Sequence, residues 1–285
     1  MIVLPHFFKL LGYLFVVSFM FSVGARTPNL GRILEHRHKK SIFKILFANV
    51  VLIPLAGLLL LHFFHLPHEL RLGFLLVALT PGGLFGLHFA HLSRGDMVYA
   101  LSLTLILSLV AILVVPFNAS LILPTTISSK ILDIKILIEL ALFALLPLLL
   151  GQWLQKHFPH FANKFGNIIS YFSMVMFAAQ EIVGTKLKDM SLDLVKHPLI
   201  WAFVLLIVIS WIVGWFFAEN DVQKKKVLAI DTAMRNIPIC WLIVNKSFAD
   251  TNVDYALIAF TAVVTPMNFA FGLCTRFLFK NREKD

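Results

Sequence analysis

Charge is scarce in this sequence. Asp, Glu, Lys and Arg make up 14% of its 285 residues, against about 25% in an ordinary soluble domain. Acids are the scarcer sign, 15 against 25 Lys and Arg, which leaves a formal net charge of +10. Apolar residues reach 59% and mean hydropathy is +0.86. Such a chain has too little polar side-chain surface to stay dissolved, which excludes soluble enzymes, nucleic-acid modules and disordered segments. Cysteine is nearly absent too. Cys240 and Cys274 both sit in apolar segments, so there is no disulfide framework and no repeated Cys pair for zinc. Also missing are HExxH, desaturase-type histidine boxes, a Gly-rich nucleotide loop and a nucleophile elbow. No enzymatic chemistry, cofactor or transport ATPase is therefore expected. The net positive charge reads as Lys and Arg left in cytoplasmic loops, with the lipid bilayer as the partner and neither nucleic acid nor an obligate protein partner implied.

What the chain has in abundance is long apolar runs. A spanning helix needs about 20 such residues. Nine segments qualify: Phe7–Ala25, Ile42–Phe64, Leu70–Leu92, Met97–Leu121, Ile134–Leu154, Phe161–Val183, Leu199–Ala218, Val227–Phe248 and Tyr255–Phe279. They are too long and continuous for barrel strands, so the expected class is an all-α integral membrane protein with nine transmembrane helices. Val23-Gly24-Ala25 has the small-residue form of a signal-peptide cleavage site, but the preceding run is long and Lys9 is the only charge ahead of it, which favours a retained helix. One set of loops holds 16 Lys and Arg, led by the Arg26–Lys44 cluster; the other holds eight. The positive-inside rule then puts the C-terminus in the cytoplasm and the N-terminus outside.

Two spans are interrupted. The third reads Thr80-Pro81-Gly82-Gly83 in mid-segment and the eighth reads Arg235-Asn236-Ile237-Pro238. Proline removes an amide donor and glycine loosens the helix. Two breaks at corresponding places in two halves point to an inverted-repeat transporter with its site near the bilayer midplane. Residues 1–127 form the first repeat, with four helices, and 128–285 the second, with five. Half-helix N-termini at such breaks favour anions and loose carbonyls favour cations. Asp231 and Arg235 are four apart, on one face of a continuous helix. They read either as a self-neutralising pair in the bundle core or as a binding or coupling site. His62, His65 and His68 straddle a span end, as an interfacial loop or a metal site; His88 and His91 follow the first break, as core histidines or proton carriers. Glu139 and Glu181 fall near span ends, and Arg94-Gly95-Asp96 reads as a short cytoplasmic turn.

At the two breaks the sequence resembles the bile acid:sodium symporter family. The resemblance rests on Pro81-Gly82-Gly83, on Leu92-Ser93-Arg94-Gly95-Asp96 followed by a helix with Thr104, on Asn49-Val50-Val51-Leu52-Ile53-Pro54-Leu55, and on Asp231-Thr232-Ala233-Met234-Arg235-Asn236, where the family has Glu-x-Gly-Met-Gln-Asn. It implies panel and core subdomains, the core holding the third and eighth spans as two crossing broken helices, with nine spans in place of the usual ten. It implies a secondary transporter of small organic anions in a bacterial inner membrane, coupled to sodium. The ion-coupling positions are then Asn49, Thr104, Asp231, Thr232, Met234 and Arg235. The substrate-binding positions are Pro81, Gly82, Gly83, Asn236, Pro238 and Asn268.

The departures bear on the coupling ion. The family's Ser-Asn pair at the first sodium is here Gly86 and Leu87, and a serine ligand is Ala100. The shared glutamate is Asp231 and a glutamine at the second sodium is Arg235. Leucine has no oxygen to offer, and a guanidinium repels sodium by several kcal/mol even at an effective dielectric of about 20. The expectation is that Arg235 acts as a tethered cation that neutralises Asp231, with proton-linked or facilitated transport. The alternatives are a sodium symporter with rearranged ligands and a non-transporting membrane sensor of the same fold. Thr80 stands where related arsenite carriers have cysteine, which counts against that activity.

Overall fold

The computed structural model describes residues 3–27, 39–83, 86–131, 141–187, 197–248 and 252–279, with a few isolated positions between 131 and 141. Most of the basic cluster between Arg26 and Lys44, the side chain of Glu181 and the C-terminal residues 280–285 lie outside the described set. Every described regular element is helical. In chain order these are α1 (Val3–Arg26), α2 (Lys39–Phe47), a π-helical turn (Ala48–Leu52), α3 (Ile53–Phe63), α4 (His68–Leu79), α5 (Gly86–Leu92), α6 (Met97–Ile122) and α7 (Thr125–Ile131). A second π turn (Ala141–Leu145) leads into α8 (Leu146–His157), followed by α9 (Pro159–Leu187), α10 (Pro198–Phe217), α11 (Val222–Met234), α12 (Ile237–Ser247) and α13 (Val253–Leu278). Helix is the economical choice for an apolar chain, because it satisfies backbone donors and acceptors within one segment. Five stretches are long and apolar enough to cross a membrane: Ile42–Phe63, Met97–Ile122, Pro198–Phe217, Val222–Ser247 and Val253–Leu278.

Polarity is distributed inside out. Leu113, Phe117 and Leu121 on α6, Phe216 on α10, and Phe277 and Leu278 on α13 are well exposed. Meanwhile Asn49, Thr104, Asp231, Arg235, Asn236 and Asn268 are each 2% exposed or less. A water-soluble fold would invert that pattern; lipid as solvent accounts for both halves of it.

Helices α1, α8 and α9 pack chiefly on one another, while α10, α11 and α13 pack with α4, α5 and α6 in a second group. In the first group glycine sets the spacing. A Cβ on Gly24 would run into the Leu148 carbonyl, and one on Gly151 into the Phe21 carbonyl, so α1 and α8 touch backbone to backbone. Such close approach is how membrane helices gain packing without a hydrophobic drive. Gln152 then caps the end of α1, its Nε2 donating to the Gly24 and Thr27 carbonyls at 2.9 and 3.0 Å. Gly151→Ala is expected to push α1 and α8 apart at a cost of about 1–3 kcal/mol, read as a lower melting temperature in detergent.

Candidate functional site

Both sequence breaks are real interruptions. Helix α4 stops at Leu79, Thr80 is extended, Pro81 follows and α5 begins at Gly86. Helix α11 stops at Met234, Arg235 takes φ +49° and α12 starts at Ile237 with Pro238 in its first turn. Proline there needs no amide partner, which suits a helix start. Positive φ on a side chain as large as arginine is sterically costly and is held here by tertiary contacts. The two interruptions cross and satisfy each other. Gly83 N donates to the Asp231 carbonyl at 3.3 Å, and Asn236 N to the Pro81 carbonyl at 2.9 Å. Gly82 N donates to Asn49 Oδ1 at 3.0 Å. The crossing has no room for side chains: a Cβ on Gly82 would meet the Asp231 carbonyl, and one on Gly83 the carbonyl of Arg235.

Arg235 is fully buried, and its guanidinium sits on oxygens at this crossing. Nη2 donates to the Ala78 carbonyl at 2.7 Å and Nε to the Val77 carbonyl at 3.3 Å. Nη1 donates to the Thr232 carbonyl at 3.0 Å and to Asn49 Oδ1 at 3.2 Å. Val77 and Ala78 belong to the last turn of α4, where carbonyls lack helical partners and the dipole favours a cation. Asn49 lies in the π turn Ala48–Leu52; its Nδ2 donates to Thr232 Oγ1 at 3.2 Å and to the Ile45 carbonyl at 3.1 Å. Single π turns recur where a side chain must be re-aimed at a site.

This arrangement corrects the expectation that Arg235 neutralises Asp231. A spacing of four brings two side chains together only along an unbroken helix. Here α11 ends at Met234 and the chain reverses φ at Arg235, which carries the guanidinium to α4 instead. Neither a self-neutralising pair nor a bond between the two groups forms. Asp231 Oδ1 faces the Thr104 hydroxyl at 3.4 Å, and its buried Oδ2 has no hydrogen-bond partner. Gly86 backs directly onto the carboxyl, a Cβ there lying 2.8 Å from Oδ1, and its neighbours Leu87 and Ala100 are buried and apolar. Those positions supply no side-chain oxygen, so the residues present do not fit the sodium ligand set that the resemblance implies.

The remaining expected site residues lie in the same layer but are internally engaged. Asn236 Nδ2 donates to Ser108 Oγ at 3.1 Å. Asn268 Oδ1 accepts from Trp211 Nε1 at 2.8 Å, and its Nδ2 lies 3.2 Å from Met234 Sδ. Ser108 and Trp211 were not among the residues singled out from sequence; a serine and a tryptophan inside apolar runs give no local signal. Thr80 Oγ1 lies 2.9 Å from Cys240 Sγ, so the thiol follows the second break but faces the first. Of the expected substrate residues, none lines an open cavity, whereas Met234 does. A space of about 510 Å³ between α9, α11 and α13 is lined by His88, Phe89, Met174, Phe177, Met234 and Pro266, among others. A second space of about 200 Å³ on the other side of His88 is lined by Arg26, His91, Asn167, Ser170 and Tyr171, among others. His62, His65 and His68 stay exposed between α3 and α4, and no cluster among the described residues is placed to hold a metal ion.

Comparison with known proteins agrees with this architecture. The chain is 23% identical over 223 residues to the human P3 protein, covering 74% of this chain and 45% of the relative. Over 264 residues it is 23% identical to the bovine P3 protein, covering 88% and 54%. To the rat hepatic sodium/bile acid cotransporter it is 25% identical over 283 residues, covering 95% and 76%. The chain thus spans about half the length of the P3 proteins that it matches. The profile of the sodium bile acid symporter family matches residues 13–192, and the chain belongs to that family.

Proposed function

We propose that this protein is a secondary transporter of small amphipathic organic anions, and that Arg235 stands permanently in one of the family's coupling-cation positions. The fold would be an inverted repeat of nine spans, residues 1–127 and 128–285, with the α1, α8, α9 group rocking against the crossed helices. Its place would be a bacterial inner membrane, N-terminus outside and C-terminus cytoplasmic. The observation that carries the reading is the seat of the Arg235 guanidinium at the crossing, on three main-chain carbonyls and Asn49 Oδ1. Oxygens converging at a half-helix C-terminus are what a coupling cation requires; here a side chain of the protein supplies the charge. Sodium at that position would meet a fixed positive charge and lose the oxygens to it. Transport is then independent of a sodium gradient, and proton linkage or facilitated movement takes its place.

The test is uptake of radiolabelled cholate, an amphipathic monoanion, into proteoliposomes. Saturable uptake is expected, unchanged when sodium is replaced by potassium at constant ionic strength. Binding without net uptake would overturn the carrier, and a strict sodium requirement would overturn the tethered cation.

A further inference from the structure

We propose that the two spaces flanking His88 are one elongated binding site for an organic monoanion, its acidic head at Arg26 and its apolar body between α9 and α13. The proposal rests on the transport reading and names where its substrate lies.

The polar end is built around a guanidinium with no acid to neutralise it. Arg26 closes α1 and is only partly buried. Its hydrogen bond runs from Nη1 to the neutral Ser170 Oγ at 3.0 Å, and among the described residues no carboxylate pairs with it. The stem is seated by Gly166 of α9, where a Cβ would lie 2.8 Å from Arg26 Cγ. Around the charge stand further donors: the imidazoles of His88 and His91, the Asn167 amide and the Tyr171 hydroxyl. A half-buried guanidinium ringed by neutral donors is matched by a single carboxylate, sulfonate or sulfate head, which its planar fork can hold in bidentate fashion. A second negative charge would find no partner there.

The other end has the opposite character. Past His88 the cavity widens from about 200 to about 510 Å³ and its walls turn to Phe89, Met174, Phe177 and Met234. Methionine and phenylalanine walls accept varied apolar shapes without demanding hydrogen bonds. Helix α9 runs along both parts, from Asn167 to Ile182, a rise of about 22 Å at 1.5 Å per residue. An inorganic anion would fill the small end only, and a neutral lipophile would leave the guanidinium unmatched. The apolar end reaches Met234, the residue before the Arg235 break, so a body lodged there touches the crossing itself.

Equilibrium dialysis of radiolabelled cholate against the full-length protein in phosphatidylcholine nanodiscs tests this directly. Wild type is expected to bind cholate saturably, and Arg26→Gln to weaken binding at least tenfold. Arg26→Lys is expected to keep part of the affinity. Ser170→Asp, which leaves Arg26 in place but sets an acid beside it, is expected to weaken cholate as Arg26→Gln does. Cholate methyl ester is expected to bind wild type and Arg26→Gln alike, and millimolar inorganic sulfate to leave cholate in place. Cholate affinity within twofold of wild type in folded Arg26→Gln would overturn the proposal, as would an equal loss for the methyl ester. An anionic lipid carries the same chemistry. Displacement of cholate by phosphatidylglycerol in the nanodisc would identify lipid as the source, and undisturbed binding a soluble acid; both keep the head at Arg26. The two readings fail separately. Arg26-dependent binding without uptake removes the carrier and keeps the site, whereas uptake that ignores Arg26 removes the site and keeps the carrier.

Discussion

Replacing Arg235 with glutamine is expected to turn a protein indifferent to sodium into one that sodium stabilises. The substitution removes the guanidinium and returns the Val77, Ala78 and Thr232 carbonyls and Asn49 Oδ1 to a cation from solution. Glutamine also adds an amide oxygen at that place. At sodium ten times its Kd, mass action stabilises the folded state by about 1.4 kcal/mol, which a melting curve in sodium against potassium resolves as a shift of a few degrees. Arg235→Ala separates the charge from the fold. It strips the same carbonyls without offering a ligand, and losing charge-assisted bonds worth about 1.5–3 kcal/mol each should cost at least about 3 kcal/mol. The comparison that decides is between salts within one variant, because it cancels the general loss of stability. A folded Arg235→Gln protein that melts identically in sodium and potassium would sink the tethered cation. So would a wild-type protein with a specific, saturable sodium shift.

Gly83→Ala carries the second large effect, on both stability and transport. Its new methyl would be driven into the Arg235 carbonyl and the Asn236 Cα, main-chain atoms that cannot swing aside like a side chain. Relief requires the two broken segments to separate, straining the Gly83 N to Asp231 and Asn236 N to Pro81 hydrogen bonds that close the crossing. Overpacking of this kind costs about 1–3 kcal/mol, and a displaced crossing misplaces Arg235 as well. The expected result is a lower melting temperature together with loss of cholate uptake. Gly272→Ala is the control. A Cβ there meets only ordinary contacts with Leu92 and Phe89 at 3.4 Å or more, and it sits inside α13, where alanine is the better helix former. Equal damage from the two substitutions would show that the crossing has no special intolerance.

Much of this arrangement could be read directly from the sequence. Hydropathy alone marks the chain as helical and membrane-embedded, because an apolar run leaves its backbone no other way to be satisfied in lipid. Pro81, Gly82, Gly83 and Pro238 announce both interruptions, since proline and glycine act on their own backbone whatever surrounds them. Asn49, Asp231, Thr232 and Arg235 were singled out correctly as residues of one neighbourhood, although their partners in it were not.

Other features were decided only when distant segments met. The direction of the Arg235 side chain depends on φ +49°, a conformation imposed by the crossing and invisible to a helical spacing of four. Its carbonyl partners lie more than 150 residues earlier in the chain. Arg26 looks in sequence like one more loop cation, and becomes a half-buried guanidinium with only neutral company because Gly166 and Ser170 arrive from 140 residues and more away. Local chemistry determined where this chain must break and what solvent it must live in. Where its charges point was left to tertiary structure, because a buried charge goes to whichever oxygens the packed helices bring within reach.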